Sequence, residues 1–283
     1  MFSFLSKRFG NSWRLSTSIF VGIFIATSLG STIPLYIASL DQLAFNVHVD
    51  RLSVPFINFH VIASEVPLTR DTLKTHEESI NIGINRHISD IYDGRDLYFR
   101  GDDLFVWTKP VGNRGTDGPV SHGYFQYLSN LENHSIFSQG RMGVGTLGNG
   151  EHGPVVEAVL SSKTAEKFNL AVGDYVSIAP TPTTIRVISA MIVGIFEPDN
   201  SSDLIWDELS VILDPPPPVD GYPKGFGVKQ DQPPIPMFLA TDAMFDVVDR
   251  AYPGIIVKIN PVWLVRINTK KIKGWSLDEV RLR

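Results

Sequence analysis

The sequence predicts an α+β protein with one N-terminal transmembrane helix followed by a mixed α/β extracytoplasmic domain. Three observations carry this reading. Residues 15–40 contain no charged side chain. Beyond them, apolar residues alternate in some stretches, as in half-buried strands, and step by three and four in others, as in helices. The 283 residues are 43% hydrophobic and 19% charged, enough to bury a core.

The composition also excludes function classes. A net charge of −5, from 25 Lys+Arg and 30 Asp+Glu, argues against a nucleic-acid partner, which calls for a basic stripe. The absence of cysteine removes disulfides, thiolate nucleophiles, Cys-ligated zinc and iron–sulfur clusters. Charge is also unevenly placed: residues 1–40 hold Lys7, Arg8 and Arg14 and no acid.

Residues 15–40 form the predicted span. At 1.5 Å per residue this helix would measure about 39 Å, enough for a hydrocarbon core of roughly 30 Å with some tilt. Twelve of its 26 residues are Leu, Ile, Phe or Val. Eight are Ser or Thr, which can bond back to the preceding turn. Residues 1–14 form a basic, cytoplasmic N-terminal segment, which places 41–283 outside. A cleaved signal peptide is the competing reading, but the uncharged stretch exceeds the usual h-region of about 7–15 residues.

Residues 55–63 alternate as a strand. A helix follows, capped by Thr69 or Asp71, with Leu73, Ile80, Ile84, Ile88 and Ile91 on one face and Asp93-Gly94 as its stop. Residues 96–107 read as a strand, or as a hairpin around Gly101-Asp102. Residues 155–160 are a strand, and Ser161 or Ser162 caps the helix that follows. Gly173-Asp174 turns the chain, with Gly supplying a positive φ and Asp bonding locally. Residues 175–179 begin a strand, and 183–196 are an apolar, β-branched run covered on both faces. Gly194 within it marks a bend or a close backbone approach.

Two stretches read as loops: the Gly-rich 139–154 and the Pro-rich 198–236, which has eight prolines between 215 and 236. Residues 236–241 return to a strand, with Thr241 capping a helix. Residues 255–268 form two strands broken at Pro261. Ser276-Leu-Asp-Glu279 is a capping box that announces a further helix. Such a start, seven residues before Arg283, suggests that the chain stops partway into a larger protein.

Chemical motifs are sparse. Gly143-Val-Gly145-Thr-Leu-Gly148 matches the dinucleotide fingerprint, yet neither flank supplies the strand and helix it requires, so it reads as a loop. His48, His60, His76, His87, His122, His134 and His152 show no metal-binding spacing. No GxSxG or SxxK occurs. The clusters Asp102-Asp103 and Asp199/Asp203/Asp207 read as solvated loop carboxylates. The expectation is a protein without catalytic residues, metal or cofactor.

Several segments together resemble one family. Gln139-Gly140-Arg141, then VVEAVLSSKTAEKFNLAVGDYVSI, then RVISAMIVGIFEP follow a single spanning helix. This resembles the outer domain of MacB/FtsX-type ABC transporter permeases. Ser162, Ala165, Gly173, Asp174, Val193, Gly194 and Ile195 fall on the positions of that family's turn segment and following strand. PMFLATDAMFDVV and VWLVRINTKKI resemble its later steps. The resemblance implies a MacB periplasmic-core type of fold in a cell-membrane permease subunit, or an N-terminal fragment of one. It implies partners too: a cytoplasmic ABC ATPase that hydrolyses nucleotide, a second permease chain, the lipid bilayer, and an extracytoplasmic protein or lipophilic substrate. The outer domain would transmit ATPase-driven motion. Only the first of the family's four spans is present here. The alternative is a stand-alone single-pass binding or scaffold protein.

Overall fold

The structure, a computed structural model, describes residues 13–51, 58–108, 121–150, 153–183, 187–199, 205–217, 232–245 and 258–273. The basic stub, the capping box at 276–279 and the helix expected beyond residue 245 lie outside these. The chain divides into two units, Met1–Ser53 with Asn268–Arg283, and Val54–Ile267.

The first unit is dominated by helix α1 (Trp13–Arg51), longer at both ends than the predicted span. Residues Thr17–Val47 have a mean hydropathy of 1.7, long and apolar enough to cross a membrane. Thr17, Thr27 and Thr32 donate their hydroxyls to carbonyls four residues back at 2.8–2.9 Å, so these polar groups are satisfied within the helix. Phe20, Val21, Ile23, Phe24, Ile25 and Leu29 are all exposed. In a water-soluble helix such residues would be confined to one covered stripe.

The second unit is built on a mixed sheet. In chain order its elements are β1 (Phe59–Ile62), β2 (Val66–Pro67), α2 (Arg70–His87), β3 (Tyr92–Arg100), β4 (Leu104–Trp107), β5 (Ser121–Leu128), β6 (Ser135–Gly140) and β7 (Thr146–Gly150). After these come β8 (Gly153–Ser161), α3 (Ser162–Phe168), β9 (Tyr175–Ala179), β10 (Ile188–Pro198), α4 (Ile205–Leu209) and β11 (Ile235–Leu239). The short α5 (Thr241–Ala243), β12 (Lys258–Ile259) and β13 (Val262–Ile267) complete it, and α6 (Thr269–Lys273) belongs to the first unit.

Six strands close on themselves in the order β5-β11-β8-β10-β9-β4, with β4 pairing β5 again. Strands β5/β11 and β8/β10 run parallel, and the other neighbours in the ring are antiparallel. The sequence reading contained no barrel. Period-2 burial fills its interior: Val156, Ala158 and Leu160 of β8, Ile188, Ala190 and Ile192 of β10, and Ile235, Met237 and Leu239 of β11 share one core. The alternate residues Val159, Phe196 and Phe238 face outward, into a second core roofed by Ile205, Trp206, Leu209 and Leu213. Phe196 meets Phe238 edge-on at 5.3 Å between ring centroids.

Beside the barrel, β3 extends the sheet to β13 and then β1. The segments arriving and leaving the unit are zipped together. Phe59–Ile62 pairs Val265–Val262, the Ala63 N–H donates to the Pro261 carbonyl at 3.1 Å, and Val66–Pro67 pairs Ile259–Lys258.

Caps and turns follow their local chemistry. The Thr69 hydroxyl accepts the Thr72 N–H at 3.2 Å and opens α2, and Ser161 does the same for Thr164 in α3. Gly173 has φ +98°. The Asp174 carboxylate accepts the Ala171 N–H at 2.8 Å.

Other expectations are corrected. Helix α2 ends at His87 with Ile88 as its cap, and Asp93-Gly94 lies inside β3 rather than stopping the helix. Strands β3 and β4 do not form a hairpin with each other; both pair along β5, and Gly101–Asp103 is a corner between them. Within the expected loop 139–154, β7 pairs β8, since main-chain pairing needs no side chains. Within 198–236, α4 and the 3-10 turn Ser210–Ile212 form because four large apolar residues find cover on the barrel. At α5 the cap position is held by Ala240, with Thr241 the first helical residue.

Candidate functional site

Four of the seven residues on which the sequence resemblance rests converge. Ser162 and Ala165 on α3, Asp174 at the start of β9 and Ile195 on β10 line one cleft of about 510 Å³, with Ser138, Gln139 and Glu166 on its rim. Local folding puts them there. Strand β8 runs straight into the Ser161 cap, α3 closes with Asn169 in the left-handed region, and Gly173 turns the chain back. The turn is then tied to β10: the Gly173 N–H donates to the Ile192 carbonyl at 2.8 Å, and the Ile192 N–H to the Asp174 carbonyl at 2.9 Å. The cleft offers hydroxyls, the amides of Gln139 and Asn169 and two carboxylates over an aliphatic floor.

Gly173 stands at the turn beside this cleft, and Val193 and Gly194 lie at a crossing of β6 with β10. There Gly194 pairs Gly140 across a bulge in β10. A Cβ on Gly194 would sit 2.3 Å from the Arg141 carbonyl oxygen, and one on Gly140 would sit 2.0 Å from that of Val193. The crossing aims the next side chain. The Arg141 guanidinium donates to both oxygens of Glu157 at 2.6 and 2.9 Å, and the Val144 N–H donates to the same carboxylate at 2.7 Å. The Glu157 side chain is 1% exposed. The Arg141 hydrogen bonds hold its carboxyl below the usual range, against the opposing effect of burial.

Sequence reasoning missed the most polar buried cluster. Asp96 of β3 has a fully buried side chain and accepts from Arg266 of β13. One of its oxygens also lies 3.2 Å from His134 Nε2, 3.2 Å from Asn130 Nδ2 and 3.3 Å from Ser129 Oγ. Burial alone would raise its pKa; the His134 hydrogen bond, then Arg266 and Asn130, outweigh burial and lower it. The His134 carbonyl in turn accepts the Trp206 indole N–H and, at 3.0 Å, the Asp199 N–H. This one cluster joins the outgoing strand β13, the β5–β6 turn and the roof of the second core.

The remaining candidates stay apart. Asp102 and Asp103 lie at the β3–β4 corner, where burial and then the Asp103 charge push the Asp102 carboxyl up. His122 is buried 4.4 Å from the Phe105 ring, and burial pushes its pKa down. Among the described residues no group of three or more His, Asp or Glu is placed to hold a metal. His152, Asp203 and residues 200–204 and 218–231 of the Pro-rich stretch lie outside the described residues. Within the fingerprint-like 143–148, Gly145 and Gly148 have positive φ, Gly145 just before β7 and Gly148 within it; among the described residues the next element is strand β8, not a helix that could receive a pyrophosphate.

No family model matches the chain, and no curated protein matches it. Among solved structures it is similar to a domain, from Porphyromonas gingivalis, of a protein provisionally designated a permease. The two are 12% identical, with 74% of each chain covered and a TM-score of 0.33. A similarity of that size transfers no property of that domain to this chain.

Proposed function

We propose that this chain is the first span and outer domain of a permease subunit of the MacB/FtsX type, seated in the cell membrane with its N-terminus in the cytoplasm. The observation that carries the reading is the zipped pair of arriving and leaving segments, 58–67 against 258–267. A domain inserted between two membrane segments has to return its chain to the point of departure, and this pairing achieves that. Helix α1, apolar on every side, and the motif residues Ser162, Ala165, Gly173, Asp174, Val193, Gly194 and Ile195 support the same reading.

In this reading the outer unit performs no chemistry. A cytoplasmic ABC ATPase hydrolyses nucleotide, a second permease chain completes the assembly, and the outer unit carries the resulting motion to an extracytoplasmic partner or substrate. The cleft at Ser162 and Asp174 is its contact face. The test is purification of the tagged chain from native-host membranes in mild detergent, followed by mass spectrometry of what remains bound. Stoichiometric recovery of an ABC ATPase is the expected result. Recovery of the chain without any ATPase would overturn the transport reading and leave a single-pass binding protein.

A further inference from the structure

We infer that the groove between α2 and the β1–β13 pair is a binding site for a single-chain amphiphile, a linear hydrocarbon chain ending in a carboxylate. This assignment concerns the outer unit alone and does not depend on the transport reading.

The groove has a volume of about 570 Å³ and is open along one side. That volume falls in the range of about 300–1,000 Å³ typical of small-molecule sites. Its walls are Val61 of β1 and Ile80, Ile84 and Ile88 from the α2 segment, over a floor containing Trp263 of β13. His76 and His87 stand at its two ends, eleven residues apart on one helix, hence about 17 Å. A long, narrow, apolar trough open on one side fits an extended chain better than a compact ring system.

Two observations point to a ligand, and folding explains neither. The first is Gly83, which lines the groove within α2, four residues before the helix ends at His87. A glycine there costs about 1 kcal/mol relative to alanine. It is not held at positive φ, and a Cβ at this position would meet nothing within 4 Å. Neither backbone geometry nor close packing requires it. Its effect is to leave the trough unobstructed at its midpoint, and local rules are broken in this way at functional sites. The second is Trp263. It is fully buried, and its indole N–H has no hydrogen-bond acceptor among the described residues, an expensive condition for a buried donor. The His76 ring lies beside it, centroids 6.1 Å apart. Together they define a polar end inside an otherwise aliphatic site, where a carboxylate would accept from the indole once His76 turns aside.

The experiment uses the full chain in phosphatidylcholine nanodiscs and follows tryptophan fluorescence while 12-bromododecanoate is added. Bromine quenches by contact, and a Trp263→Phe variant separates the groove signal from the other tryptophans. Saturable quenching that disappears in Trp263→Phe, that unbrominated dodecanoate reverses, and that weakens at least tenfold in Gly83→Leu is the expected result. Gly83→Leu adds bulk to the groove from a position where a Cβ is unopposed, and its melting temperature reports whether it folds. Should it not fold, reversal by dodecanoate in the unmodified chain decides alone. Quenching that rises linearly with probe and is not reversed would overturn the site. Equal quenching of Trp263 by brominated phospholipid, with no fatty acid added, would overturn the free-amphiphile assignment in favour of a membrane lipid chain.

Discussion

The Asn58 side-chain oxygen accepts the backbone N–H of Ile267 at 3.2 Å across 209 residues of sequence. These are the first described residue of the outer unit and its last. One side chain therefore fastens the unit shut, and β1–β13 pairing continues from it.

Asn58→Ala removes that acceptor while leaving the strands in place. The expected cost is about 0.5–1.5 kcal/mol, the usual net value of one hydrogen bond. Amide exchange at Ile267 should accelerate while exchange in the barrel strands stays unchanged. Equal acceleration throughout would mean that the fastening and the barrel open as one unit.

Gly173 and Gly194 are both needed, for different reasons, and substitutions separate them. At Gly173 the constraint is φ, because an added Cβ meets nothing within 4 Å. Gly173→Asn, which brings in the side chain most tolerant of positive φ, should therefore cost less than Gly173→Val, which should cost ~1–3 kcal/mol. At Gly194 the constraint is space, so Gly194→Asn and Gly194→Val should both be severe, each above about 2 kcal/mol. Thermal or urea melts of the four variants read the pattern.

Asp96 should make stability depend on acid. Its folded-state pKa is lowered relative to the unfolded chain. Its contribution is thus fully present above the ordinary carboxylate pKa and is lost as pH falls through the lower, folded value. Asp96→Asn should destabilise the outer unit at neutral pH by ~2–4 kcal/mol and flatten the acid limb of its stability profile. An unchanged acid limb would assign the pH dependence to other carboxylates.

Ile25→Arg places a charge within the apolar stretch of α1, where the cost of insertion rises to about 2.5–3.5 kcal/mol at the centre of a span. Carbonate-washed membranes should lose the variant. Retention equal to that of the unmodified chain would remove α1 as the anchor.

What the sequence showed was local. The Thr69 and Ser161 caps, the Gly173 turn and the strands before and after α3 each depend on residues within a few positions, and their signatures were readable. Strand β7 was not, because glycine and asparagine carry no strand signal and its pairing with β8 is purely main-chain. Helix α4 was hidden in the stretch read as a Pro-rich loop, although it precedes the prolines and Ile205, Trp206, Leu209 and Leu213 were the clue to a buried face. Closure of the barrel depends on β5 meeting both β4 and β11, the latter more than a hundred residues away. Asp96 likewise meets Arg266 across 170 residues. Nothing in a linear pattern indicates such a meeting.

The antiparallel pairing of β1 with β13 has a mechanical consequence. Both chain ends of the outer unit leave from the same end of that pair. Tension drawing the two ends apart would load the ladder one hydrogen bond at a time, as in peeling tape, and would not shear all of it together. The pair yields progressively at low force, and the closed ring of strands behind it, with no free end to grip, would be the last part to deform.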